Sequence, residues 1–164
     1  FAQLSGNYTI GVTGNYPTFN AAVTALSAGI TGPVTFTVLP GSGPYNEQVT
    51  INPVAGVSAI NTITFKGNME ILTNGTTGST NRHTLKLNGA DYIIIDSLTI
   101  INTGTTYASG VEVTNAADNN IISNCNIQVP QSTSGNFAGL TISGTTPTST
   151  GNTGSNNTIS NNTI

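Results

Sequence analysis

From residue 34 onward, apolar and uncharged polar residues alternate in short bursts. "VTFTVLP" (34–40), "EQVTI" (47–51), "NTITFKG" (61–67) and "HTLKLNG" (83–89) interleave Val, Ile, Leu or Phe with Thr, Lys or Gln. A period of two places the apolar set on one face of an extended chain, so each burst predicts a strand with one buried side. One earlier stretch has the longer helical period. In "YPTFNAAVTALSAGI", Phe19, Ala22, Val23 and Leu26 share a face, Thr18 is placed to cap the N-terminus and Gly29 to stop the C-terminus. The spacing predicts a single helix over 18–28.

From residue 90 the pattern repeats. "ADYIIIDSLTI" (90–100), "ADNNIISNCNI" (117–127) and "GSNNTISNNTI" (154–164) align without gaps at offsets of 27 and 37. A further strand recurs between them, "GVEV" at 110–113 matching "GLTI" at 139–142. Each repeat therefore holds three short strands. The alignment makes columns of Ile95, Ile122 and Ile159, of Ile100, Ile127 and Ile164, of Val111 and Leu140, and of Val113 and Ile142. A lone repeat cannot bury such a face, whereas stacked repeats bury it continuously, which is the logic of a solenoid. Sharp corners between strands need residues that tolerate the left-handed conformation, and Asn is one. Asn124 and Asn161 share a corner column with Ser97, and Asn120 and Asn157 share another with Ile93. Stacking is expected to join such amides in ladders. "QVPQSTSGNFAG" (128–139) and "SGTTPTSTGNTGS" (143–155) read as loops inserted at corners. The chain divides into an N-terminal strand and capping helix (1–33), first coils (34–89) and regular coils (90–164).

Composition sharpens this picture. Only 5% of the 164 residues are charged, while Thr supplies 29 and Asn 22. Globular domains usually carry about a quarter charged residues, so this surface is kept soluble by hydroxyls and amides. A net charge of -3 offers no basic field for nucleic acid. No run approaches the length of a membrane span. Cys125 is the only cysteine, which leaves no disulfide framework and reads as an inert core residue. The opening Phe1-Ala2-Gln3 resembles the small-residue end of a secretory signal, with cleavage near Ala2 or Gln3.

These residues carry a resemblance. "YPTFNAAVTAL", "GPVTFTVLPGSGPYNEQVTI" and "NTITFKG" resemble the start of right-handed parallel β-helix proteins of the pectin-lyase-like superfamily. In that group a short helix caps the first coil and a "PG-x-Y-x-E-x-V-x-I" phrase leads into the helix. Here the phrase is Pro40-Gly41, an inserted Ser-Gly-Pro, then Tyr45 to Ile51. The wording is similar to that of large secreted surface proteins of Bacteroidota. The resemblance implies an all-β, three-sheet solenoid that is secreted or held at the cell surface. The same opening also resembles pectin methylesterases, which use two Asp and an Arg on the outer face of their middle coils. "GVEVTNAADNNIISNCNIQ" (110–128) lies where their central strand would fall, and Asp118 matches an Asp ahead of it. The catalytic Asp phrase that should follow Cys125 is replaced by "NIQVPQSTSG", and no Lys or Arg follows residue 90.

Candidate chemistry is sparse. Asp91 and Asp118 share a column one repeat apart; coils lie about 4.8 Å apart, so the two carboxylates are candidates for a shared calcium ion, with solvated turn residues as the alternative. No other cofactor is expected. Tyr107 and Phe137 (with Tyr92) are candidates for an aromatic platform under a sugar ring, packing roles being the alternative. Glu47 reads as an acid that bonds backbone donors near the cap, His83 as a surface or turn residue, and "Asp96-Ser97-Leu98" resembles a short O-glycosylation sequon. The expected function is an exported structural or adhesive module that binds polysaccharide. The alternatives are a carbohydrate-active enzyme (lyase or pectin-esterase-like) and a fibre subunit whose last coil stacks on a neighbouring subunit.

Overall fold

The computed structural model describes every residue except 1, 77, 147, 148 and 152. Strand β1 (Leu4–Ile10) leads to helix α1 (Phe19–Ala25), which runs into a 3-10 turn at Leu26–Ala28. The chain then winds in coils of three short strands. The first coil holds β2 (Ile30–Val38), β3 (Tyr45–Asn46) and β4 (Val49–Ile51); the second holds β5 (Ile63–Lys66), β6 (Ile71–Asn74) and β7 (His83–Asn88). The third holds β8 (Ile93–Asp96), β9 (Thr99–Asn102) and β10 (Ala108–Thr114), and the fourth holds β11 (Ile121–Ser123), β12 (Asn126–Gln128) and β13 (Phe137–Ile142). Strand β14 (Thr158–Ser160) opens a fifth. Three parallel sheets result, in the orders β1-β2-β5-β8-β11-β14, β3-β6-β9-β12 and β4-β7-β10-β13. The chain is a right-handed parallel β-helix of about 5 turns.

The predicted columns are the observed register. Ile95 pairs with Ile122 and Ile122 with Ile159; Ile100 pairs with Ile127; Val111 pairs with Leu140 and Val113 with Ile142. Ile95, Ile100, Ile122 and Ile127 are at most 2% exposed, so one apolar core runs up the axis. Burying each such side chain contributes about 1.5–3 kcal/mol. Cys125 is buried in the same core, and burial raises its thiol pKa.

Helix α1 forms where its period predicted. The Thr18 hydroxyl accepts from Ala21 N–H, and Gly29 takes a positive φ of 85° after the 3-10 turn. The buried face is Phe19, Ala22, Ala25 and Leu26, with Val23 half-buried against the core. Two expectations change. The predicted strand 47–51 shortens to β4 (Val49–Ile51), because Glu47 and Gln48 form the corner that separates it from β3 (Tyr45–Asn46). Strand β6 escaped notice because, of its two large apolar residues, Leu72 is buried while Ile71 is 36% exposed.

The corners explain the asparagines. Among the described residues, ten non-glycine residues have positive φ, and six of them are Asn: 68, 115, 119, 124, 156 and 161. Tyr92, Asn119 and Asn156 occupy one left-handed column and Ser97, Asn124 and Asn161 the next. The expected amide ladder exists, although at other positions: Asn88 Nδ2 donates to Asn52 Oδ1 at 2.7 Å, and Asn115 Nδ2 donates to Asn88 Oδ1. Asn120 instead staples backbone to backbone. Its Nδ2 donates to Ala90 O at 2.9 Å and its Oδ1 accepts from Ile93 N at 2.8 Å. Asn157 repeats this one coil on, toward Ala117 O and Asn120 N. Rung pairing stops at corners, so buried N–H and C=O groups there need side-chain partners.

Candidate functional site

Five of the six carboxylates are committed to holding the coils together. Glu47 accepts from Phe19 N at 3.1 Å and Asn20 N at 2.9 Å, fastening α1 to the first coil as expected. Glu70 accepts from Gly41 N at 2.6 Å and Gly43 N at 2.7 Å. Asp91 accepts from Asp118 N at 2.7 Å, and Asp118 in turn accepts from Ser155 N. Asp96 accepts from Asn124 Nδ2 at 2.7 Å and from the Ser123 hydroxyl at 3.2 Å. Asp91 and Asp118 thus stand in one column, each bonded to backbone in the next coil. Among the described residues no group of three or more His, Cys, Asp or Glu side chains is placed to hold a metal ion.

The two aromatic candidates stand at the entry to neighbouring strands: Tyr107 immediately precedes β10, and Phe137 starts β13, where it pairs with Ala108. Their surroundings differ. Tyr107 lies under Arg82, whose guanidinium carbon is 4.9 Å from the ring centroid. Arg82 is itself buried, donating to Ser79 O and Asn136 O. Phe137 lines an open cleft of about 990 Å³ between the loop 129–136 and the last coil, with Asn126, Gln128, Gln131 and Ser132 around it.

Glu112 is the remaining carboxylate, and sequence reasoning passed over its surroundings. It is fully buried in β10, directly opposite Lys86 of β7. Lys86 Nζ lies 3.6 Å from Glu112 Oε2, and His83 Nδ1 lies 3.7 Å from the same atom. His83 is therefore no surface or turn residue; it begins β7 and is 3% exposed. Its Nε2 is 2.9 Å from Thr50 Oγ1. Burial, reinforced by the Lys86 charge, lowers the His83 pKa to about 4. Burial raises that of Glu112, against the opposing pull of Lys86. The signal in the sequence was the run of Lys, Glu and Thr at matching places in "HTLKLN", "GVEV" and "QVTI", which the coil register converts into one row.

The solved structures decide what this architecture is like. Two crystal structures of the pectin methylesterase from Aspergillus niger, in deglycosylated and penultimately deglycosylated forms, match with TM-scores of 0.61 and 0.62. The chain has their fold. Identity is 20% and 21% over 88% and 87% of the chain, so the likeness concerns the fold alone. The chain spans 49% and 48% of those esterases, about half their length. No family model matches the chain, and no curated protein is significantly similar to it. Among the described residues, no helix is long and apolar enough to cross a membrane.

Proposed function

We propose that the chain is an exported structural or adhesive β-helix module of a bacterial surface protein, and that it binds uncharged carbohydrate. The observation that carries this reading is the commitment of five of six carboxylates to bonds between coils. Such acids serve as fasteners, and what they leave outside is a surface of hydroxyls and amides. That surface suits the hydroxyls of a neutral glycan. The cleft beside Phe137, with amide side chains around one aromatic ring, supplies a place for a sugar ring to stack. Calorimetric titration with neutral oligosaccharides tests the reading: saturable binding weakened at least about tenfold by Phe137→Ala is expected. Binding unchanged by that substitution would remove the cleft from the account.

A second reading is a carbohydrate-active enzyme of the esterase or lyase kind. It is favoured by the fold match to the pectin methylesterases over most of this chain. Release of methanol or unsaturated products from pectin above a heat-killed control would establish it in place of the first.

A further inference from the structure

The sixth carboxylate, Glu112, meets the neighbouring coil through charge and not through backbone donors, with Lys86 Nζ 3.6 Å away. Among the described residues, neither oxygen of Glu112 has a hydrogen-bond partner of good geometry although both are buried with Ser109 and Lys86 beside them, and the same holds for His83 Nδ1 and for the Ser109 hydroxyl. A buried polar atom without a partner costs about 1–3 kcal/mol, and more when charged. In the row that crosses this sheet, the neighbours are Thr50, Lys86, Glu112 and Thr141. A threonine at 112 would remove the buried charge but would leave Lys86 without its counter-ion, and the Thr141 hydroxyl in the same row is itself buried without a partner among the described residues.

The backbone assembles the group. Gly110 faces inward, where a Cβ would meet Ile127 Cγ2 at 2.4 Å, and the next residue, Val111, is also in the core. Two consecutive inward residues break the alternation and bring Ser109 and Glu112 to the same outer face. Thr84 and Leu85, both buried, accompany the same change in β7, so His83 joins Lys86 on that face. Thr50 arrives from β4, directly opposite Lys86.

We propose that Thr50, His83 and Glu112 form a hydroxyl–imidazole–carboxylate relay in which Thr50 is a nucleophile toward carboxylic esters presented at the outer face of this sheet. The inference goes beyond the structural reading and does not depend on glycan binding. With Nδ1 protonated, the imidazole leaves Nε2 to accept the Thr50 proton at 2.9 Å, while Nδ1 lies 3.7 Å from Glu112 Oε2, beyond hydrogen-bond distance. Burial, with the Lys86 charge, lowers the His83 pKa to about 4, so the imidazole is neutral at pH 7 with Nε2 free to accept, although the same shift makes it a weaker base. His83 and Glu112 are buried, whereas Thr50 is partly exposed and so is the member a substrate can reach. The relay requires the 3.7 Å between His83 and Glu112 to close to a hydrogen bond when substrate is bound. Lys86, across from Thr50, supplies positive charge near a developing oxyanion.

In the reaction, Thr50 Oγ1 bonds to the ester carbonyl carbon while its proton passes to His83 Nε2. The bond to the alcohol oxygen then breaks, and the alcohol leaves with that proton. Water, deprotonated by the same imidazole, attacks the acyl-threonine, releasing the acid and restoring the hydroxyl. Thr50 and His83 are catalytic here; Glu112 is a positioning residue.

The test treats the full chain with p-nitrophenyl acetate and with a fluorophosphonate, followed by intact mass and peptide mapping. A single adduct at Thr50 with release of p-nitrophenolate is expected. Thr50→Val should abolish it, Thr50→Ser should keep it, and His83→Gln should slow it by about 100-fold or more. Glu112→Gln should slow it by about tenfold and move the pH profile, which a merely structural role would not do. Circular dichroism confirms that each variant is folded. No adduct at Thr50 in the wild-type chain, adducts confined to lysine or tyrosine, or equal labelling of His83→Gln would overturn the proposal. Glycan binding can fail while this result stands, and the reverse.

Discussion

One inward column passes through two kinds of core. In the first coils it reads Tyr8, Phe36 and Phe65; in the later ones it continues as Ile95, Ile122 and Ile159. The aromatic part is a packed cluster. Phe36 and Phe65 stack at 5.0 Å, Phe19 of the capping helix lies 6.2 Å from Phe65, and Tyr45 meets Phe19 edge-on at 5.1 Å. The aliphatic part has no rings at these positions, and its corners are held by amides, from Asn120, Asn157 and Asn162. The comparison teaches that a solenoid can fix its coils in two ways. Rings fill volume and bind a helix across the axis, but they specify register weakly. Buried amides fill little volume, yet a one-residue slip would strand both partners of each bond, so they specify register strongly.

The largest effects come from the two cores themselves. Phe36→Ala should cost about 3–5 kcal/mol and Ile122→Ala about 2–5 kcal/mol, measured by urea unfolding. Each coil stacks directly on the next, so both should shift one cooperative transition. Two separate transitions in Phe36→Ala would break the comparison into two independent units. Asn120→Ala is expected to cost about 3 kcal/mol, because Ile93 N–H and Ala90 C=O both lose their partner in the core. A loss below that of an exposed asparagine would show that water enters the corner and that amides do not hold the later coils.

The row at β7 and β10 adds a pH dependence that neither core has. His83 has a folded pKa of about 4 against the ordinary 6.5, so its contribution is present above 6.5 and is lost as pH falls toward 4. The loss is on the order of 3 kcal/mol. Glu112 acts in the opposite sense: its pKa is raised, so its contribution is greatest in acid and fades as pH rises through the folded value. The other charges facing them are those of Lys86 and Arg82. Melting temperatures from pH 7.5 to 4 should therefore fall less steeply in His83→Gln and more steeply in Glu112→Gln. Parallel profiles for the wild type and both variants would disprove the assignment.

The fold was legible because a solenoid writes its contacts as columns. Ile95, Ile122 and Ile159 recur at fixed places, and three aligned repeats leave little choice of register. The helix was legible from Thr18, its apolar face and Gly29. The row around Glu112 was not, for a physical reason. Its members come from β4, β7 and β10, and the inward turn of both Gly110 and Val111 decides which face they share. Alternation alone assigns His83 to the face of Leu85, so the imidazole's partners could not be found by counting. Asp91 and Asp118 stack as their shared column implied, and each accepts a backbone N–H of the next coil, a contact that the column alone does not reveal.

The smallest effect isolates the corner conformation from everything around it. Asn124 is exposed and has a φ of 56°, with its amide donating to Asp96 at 2.7 Å. An alanine there keeps the left-handed strain and loses the bond, which should cost about 1–2 kcal/mol. A glycine also loses the bond but carries no strain, because it reaches positive φ freely. Its larger unfolded entropy offsets part of that gain, so Asn124→Gly should lie within about 0.5 kcal/mol of the wild type. The ordering separates two explanations of why asparagine sits at this corner. If glycine were as costly as alanine, the bond to Asp96 would be what holds the turn, and the left-handed column would follow from it. If glycine is near neutral, the backbone dihedral comes first and the amide is secondary. The second outcome is expected, since Ser97 occupies the equivalent corner one coil earlier with φ 55° and bears no amide at all.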